Sequence, residues 1–175
     1  MGDSDLFQYA YFVRSIEDAA AQWSTLAGAG PFFVTRHHVA DRFEYRGTAQ
    51  EADVSYAFGY IDDIQIQLIE QHDDTPSIYL DMFPDRAEGQ HHIARLVADY
   101  EGTRDSIMAD GHDLACELEA NGIHACYLDT RSAIGVFTEL HSITDRILTT
   151  FGRWRDAHRD RTDLDDILRH HESGS

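Results

Sequence analysis

The chain has 175 residues, 42% of them apolar, which is enough to build one sizeable core. Acidic residues outnumber basic ones 32 to 14, and the resulting formal charge of −18 repels phosphate backbones and anionic bilayers, arguing against nucleic-acid and membrane partners. The apolar runs are too short to span a bilayer and the opening MGDSD is acidic where a secretory signal is basic and then hydrophobic, so a cytoplasmic protein is expected.

Taken in chain order, the run FQYAYFV predicts a strand near residues 6–13. It is followed by a helix over SIEDAAAQWSTLAG, where Ser15 and Asp18 make a capping pattern and Gly28 and Gly30-Pro31 stop the helix. Strands are expected at PFFVTRHHV, RFEYRG, DVSYAFGYI and DDIQIQLIE, then a short helix around IYLDMF bridging to a second half. That half repeats the order: a strand in HHIARLVA, a helix over YEGTRDSIMADG, and strands near HDLACEL, HACYLD and IGVFTEL. Both halves read as βαβββ, which predicts an α+β protein of two modules, about 6–71 and 89–141, in one domain spanning 1–141. Beyond it, residues 142–175 read as a helical extension, with Ile147, Leu148, Phe151 and Trp154 as a packing stripe, a second short helix over TDLDDILRHH, and His170-His171 before ESGS as a mobile tail. The two cysteines, Cys116 and Cys126, flank an Asn121-Gly122 turn. A two-residue turn there pairs Cys116 with Tyr127 and Glu117 with Cys126, pointing the sulfurs to opposite faces and disfavouring a disulfide.

Four polar residues, Gln8, Gln67, His92 and Glu139, stand in the first and last strands of the two modules, and their recurrence in pairs suggests a metal site. Strand alternation puts Gln67 on the face away from Ile64, Ile66 and Leu68, with Gln65 beside it, and puts Gln8 with Ala10 and Phe12, His92 with Ala94 and Leu96, and Glu139 with Phe137 and His141. A concave sheet lined this way is an apolar cleft with a few polar groups. By the same alternation His91 points to the opposite face, as a packing residue or a support to the ligands rather than a ligand. The one basic stretch, Arg36, His37, His38, Arg42 and Arg46, either meets a carboxylate or the phosphates of a CoA thioester, or balances nearby acids on a solvated hairpin.

The pieces GQHHIA, IQLIE and GVFTEL, supported by SIEDAAAQW and GAGPFF, resemble the vicinal oxygen chelate superfamily, the glyoxalase, bleomycin-resistance and extradiol dioxygenase group, nearest its methylmalonyl-CoA epimerase-like branch. The resemblance implies that the paired modules curl into a cleft, that Gln8, Gln67, His92 and Glu139 ligate a divalent metal ion (Zn, Co, Ni, Mn or Mg), and that the chain forms a homodimer. Gln8 stands where a His is usual in the epimerases. The first His of an iron site being absent, ring cleavage is disfavoured. The chemistry implied is that of an isomerase or epimerase: α-proton abstraction and enolate stabilisation on a small carbonyl, carboxylate or CoA-thioester substrate, with Glu139 as base and ligand and Glu51 about where the family has its second glutamate. A glyoxalase-type lyase uses the same ligands. The rival from another class is a metal-free protein binding an aromatic ligand in the same cleft.

Overall fold

The computed structural model describes residues 4–163 and 165–170. The tail expected from His171 onward and the first three residues of MGDSD lie outside the described residues.

The first module runs β1 (Ser4–Phe12), α1 (Ile16–Ala27), β2 (Phe32–His38), β3 (Arg42–Tyr45), β4 (Thr48–Ala49), β5 (Val54–Ile61) and β6 (Ile64–Gln71). A short α2 (Ile78–Met82) leads to the second, β7 (Gly89–Val97), α3 (Tyr100–Ala109), β8 (Leu114–Ala120), β9 (Ile123–Leu128), α4 (Arg131–Ile134) and β10 (Phe137–Ser142), followed by α5 (Asp145–Arg159) and β11 (Leu168–His170). The local signals act as anticipated. The Ser15 hydroxyl accepts from the Asp18 N–H at 3.1 Å, and Gly28 ends α1 in the left-handed region at φ 69°. Asn121 and Gly122, both at positive φ, turn β8 into β9, and the resulting register pairs Cys116 with Tyr127 and Glu117 with Cys126, leaving two free, buried thiols. One expectation fails. TDLDDILRHH contributes no second helix among the described residues; Leu168–His170 instead adds a strand parallel to β2, whose edge backbone groups it satisfies.

Among the described residues eleven strands form one sheet, ordered β11-β2-β5-β6-β1-β7-β10-β9-β8-β3-β4. The modules meet where β1 and β7 run antiparallel, and each first strand pairs in parallel with its own module's last strand, β6 or β10. The β3–β4 hairpin, an insertion of the first module, adds to the far edge of the second through β8. Yet only Val39, Ala40 and Asp41 separate β2, near one end of the sheet, from β3, near the other. At roughly 3.5 Å per residue that link spans about 14 Å, so the sheet has to curl until its ends nearly meet.

α1 and α3 cover the outside of the curl. Ile16 and Ala20 of α1 pack with Phe32, Val34, Ile66 and Leu68, and α3 packs Tyr100 and Ile107 against Val97, Cys126 and Leu140. The inside is filled from both ends. α2 inserts Ile78 and Tyr79, both fully buried, among Phe12, Tyr56, Ile69, Tyr127 and Phe137; it plugs the curl as well as bridging the modules. At the other end α5 lays Ile147 and Phe151 on Phe7 and Leu96, while Trp154 stacks on Phe33 and Phe58.

Candidate functional site

Between the two plugs lies a buried polar cluster. Its placement depends on the β1–β7 junction, where two residues drop out of the ladder: Phe7 between Leu6 and Gln8, and His91 between Gln90 and His92. These bulges occupy equivalent positions in the two modules, since Gln8 pairs with Ala94 as Ala10 pairs with His92. A bulge turns its strand and re-aims the side chains beside it. Gln67 then stands beside Ala10 as Glu139 stands beside Ala94, so each module offers one residue from its first strand and one from its last.

The structure brings together Gln8, His92 and Glu139, with Gln65 and His141 beside them, all but His141 at 5% exposure or less. His92 Nε2 is 3.2 Å from Glu139 Oε2 and 3.3 Å from Gln8 Oε1. Gln8 Nε2 donates to Gln65 Oε1, and Gln65 Nε2 donates to the Tyr60 hydroxyl at 3.0 Å, a chain that turns the Gln8 carbonyl oxygen toward His92. Gln67 is not linked to this network; it is buried nearby with its Oε1 lacking any hydrogen-bond partner, which ordinarily costs about 1–3 kcal/mol. Glu51 lies apart, exposed in the β4–β5 loop, where it lines a 480 Å³ cavity together with Tyr56.

Hydrogen bonding assigns the imidazole protons. The Ile78 carbonyl only accepts, so His91 Nε2, 3.1 Å away, carries a proton. Burial, then the neighbouring His92, hold His91 well below the ordinary imidazole range, so the ring is neutral and its Nδ1 bare. His92 Nδ1, at 2.9 Å from that atom, therefore donates to it. His92 Nε2 is left facing two acceptor oxygens, an arrangement stable only with a cation, proton or metal, among the three. Their spacing suits a metal, because neighbouring ligands about 2.1 Å from an ion lie roughly 3 Å apart. The orphaned Gln67 oxygen, on the strand beside Ala10, is a further amide oxygen free to accept.

Burial on its own pushes the Glu139 carboxyl up, but His92, His141 and a hydrogen bond from Tyr127 outweigh it and hold Glu139 below the usual range. Its second oxygen, Oε1, lies 4.0 Å from His141 Nε2. From Glu139 a line of buried hydroxyls runs to Tyr56: Tyr127 hydrogen-bonds Tyr79, and the Tyr79 and Tyr56 hydroxyls are 2.9 Å apart. Tyr56 borders the cavity that Glu51 lines.

For His91 the sequence anticipates packing or support of the ligands, but not the contact with His92. Strict alternation puts it on the opposite face, and only the bulge brings its ring against His92; neither Phe7 nor His91 is a residue type that signals a bulge. Gln65 was placed on the right face, but nothing in the sequence marked it as the group orienting Gln8. The three arginines of the basic stretch pair with nearby acids: Arg36 with Glu17 and Glu70, Arg42 with Glu44 and Glu117, and Arg46 with Asp81 and Asp129.

A family model described as the Glyoxalase/Bleomycin resistance protein/Dioxygenase superfamily matches residues 7–127. A search of curated proteins finds no match. Among solved structures, a hypothetical protein from Bacillus halodurans C-125 is 22% identical at a TM-score of 0.60, covering 82% of this chain and 97% of that one. Methylmalonyl-CoA epimerase from Mycobacterium tuberculosis is 16% identical at 0.59, covering 82% and 91%. A Streptomyces coelicolor methylmalonyl-CoA epimerase in complex with 2-nitronate-propionyl-CoA is 18% identical at 0.60, covering 82% and 97%. At these identities the likeness is one of fold. Among the described residues no helix is long and apolar enough to cross a membrane.

Proposed function

The chain belongs to the glyoxalase/bleomycin resistance protein/dioxygenase superfamily, and from that premise we propose that it is a divalent-metal-dependent isomerase of the epimerase type, abstracting an α-proton from a small carbonyl, carboxylate or CoA-thioester substrate. The observation that carries this reading is the convergence of three acceptor atoms, on Gln8, His92 and Glu139, around a point that needs a cation. Gln8, Gln67, His92 and Glu139 are the residues that would hold the ion, with His91 and Gln65 orienting His92 and Gln8. Bound there, a divalent ion supplies Lewis-acid polarisation of a substrate carbonyl.

The chain's own groups do the rest. Glu139, held below the ordinary carboxylate range, is ionised at neutral pH and takes the proton. The hydroxyl line Tyr127–Tyr79–Tyr56 gives this buried base a path to the cavity where Glu51 stands. No second carboxylate lies against the cluster among the described residues, so Glu139 both removes and returns the proton, inversion requiring the planar enolate to turn its other face to Glu139 between the two steps, and Glu51 serves the outer end of the path. The pairing of the Arg36–Arg46 stretch with acids favours a small carbonyl or carboxylate over a CoA thioester. The two plugs and the apolar lining exclude water from the base.

The metal-free binding protein is the second reading, and the same atoms define it. There a proton on His92 Nε2, shared with Glu139 Oε2 and the Gln8 carbonyl oxygen, takes the place of the ion. The test is metal analysis with deuterium exchange at the α-carbon of candidate substrates, in the wild type and in Glu139→Gln. The metal-isomerase reading expects the variant to hold one ion fewer per chain and to lose exchange by about 10³-fold. Equal ion content in the two proteins would refute it and favour the proton-bridged, metal-free network.

A further inference from the structure

A second group of ligand side chains lies away from the central cluster, on the open rim of the curl. His37, Asp53 and His72 each place one ligand atom within 4.8 Å of the other two. They come from three different segments: the end of β2, the approach to β5, and the residue after β6. We propose that this rim is a second metal site, for a divalent first-row transition ion such as Zn²⁺, Co²⁺ or Ni²⁺, bound by two imidazoles and one carboxylate with its remaining positions open to solvent.

The backbone is shaped to present these groups. The β2–β5 pairing breaks between Thr35 and His38, and His37 there takes the left-handed region at φ 47°, a conformation uncommon for a residue with a side chain. It is held by its N–H, which donates to the Ser55 hydroxyl at 3.1 Å. Ser55 is fully buried, and its same oxygen lies 2.7 Å from His72 Nε2. One buried hydroxyl thus fixes both histidine segments, as groups behind a metal ligand do. The His72 N–H donates to the Asp53 carbonyl at 2.8 Å, tying the third ligand into the same frame. The two rings are 4.7 Å apart and His37 Nδ1 is 2.7 Å from Asp53 Oδ1, so small side-chain rotations close the set around an ion.

Charge favours occupation. Glu70 Oε1 stands 3.5 Å from His72 Nδ1, and the nearby cation, Arg36, is engaged by Glu17 and Glu70. Two imidazoles and a carboxylate select a borderline transition ion over Mg²⁺ or Ca²⁺, which prefer all-oxygen sites. His37 and Asp53 also line the 480 Å³ cavity, so the open positions face a space where a small anionic or amine ligand fits.

This site stands independently of the central reading, and its test separates the two. Metal-stripped wild type, His37→Gln, His72→Gln and Asp53→Asn are titrated with Co²⁺ or Zn²⁺, with thermal unfolding of each stripped protein as the check on folding. Wild type should bind one ion more per chain than each of the three variants, whose stripped unfolding midpoints stay close to wild type, while Glu139→Gln keeps the rim ion. The imidazole protons of His37 and His72 should show paramagnetic shifts with Co²⁺. A stoichiometry unchanged in all three variants, or Co²⁺ shifts confined to other histidines, would overturn the proposal whatever happens at Glu139.

Discussion

The two modules share one topology and offer residues at the same two register positions, yet the first contributes two neutral amides and the second an imidazole and a carboxylate. Gln8 and Gln67 donate oxygen lone pairs and no charge, whereas His92 and Glu139 carry every titratable group in the set of four. In the proposed mechanism the duplicated strand–helix–strand frame would position four donors, and the asymmetry in side chains would give positioning to one half and proton transfer to the other. Burial makes this division strict, because an unpaired charge inside the curl costs far more than a neutral amide.

The difference is best broken at its charged half. Glu139→Gln should reduce α-proton exchange about 10³-fold, whereas Gln8→Glu, placing the carboxylate in the other module, should not restore it. Tyr79→Phe cuts the hydroxyl line without touching the four donors. Proton exchange with solvent should slow by roughly ten- to a hundredfold, with metal content unchanged by elemental analysis. The amide half is predicted to be gentler. Gln67→Leu should weaken ion binding at least about tenfold, while the stripped protein keeps or gains stability because an unpaired buried oxygen is removed. Isothermal titration and thermal melts read the two effects separately, and a loss of stripped stability would mean that Gln67 packs rather than ligates. Glu51→Gln should leave kcat within about threefold; a fall of about a hundredfold would restore a two-base scheme.

The smallest effect concerns the α2 plug. Arg46 and Arg131 pair with Asp81 of α2 and with Asp129. The hydrogen bond from Arg131, reinforced by Arg46, holds Asp129 down at about 2, below its ordinary 3.8. A depressed carboxyl stabilises the fold at pH above its unfolded value and loses that contribution as pH falls through the folded one. Unfolding midpoints should therefore drop between about pH 4 and pH 2, and Asp129→Asn should flatten that part of the profile.

Much of the frame was legible because strand alternation, a capping Ser15, Gly28 and the Asn121-Gly122 turn are local signals that tertiary packing did not override. The side chains facing inward followed from the same alternation, including Gln65 and Gln67. Alternation fails at a bulge, however, and nothing in Phe7 or His91 announces one, so the ring that sets the His92 tautomer was assigned to the wrong face. The IYLDM segment illustrates a different limit. Its capped start and its length predict a helix, but whether five residues bridge two modules or descend between them depends on the width of the curl, which only the β2–β3 link reveals. Leu168–His170 became a strand because β2 offered unpaired backbone groups, a demand invisible from the segment itself.

α5 has a consequence for affinity. Ile147, Phe151 and Trp154 occupy the inner surface beside Phe7, Phe33, Phe58 and Leu96, leaving a 230 Å³ space lined by Phe7, Tyr60, Leu96 and Phe151. A molecule larger than that space approaching His92 from this end competes with the helix for the same volume. The helix is pinned at its far end, where Arg161 donates to the Ala29 carbonyl and His158 to that of Gly30. Its apparent dissociation constant is then the intrinsic value divided by the fraction of molecules with the helix displaced, so a closed state favoured by about 4 kcal/mol turns a nanomolar site into a micromolar one.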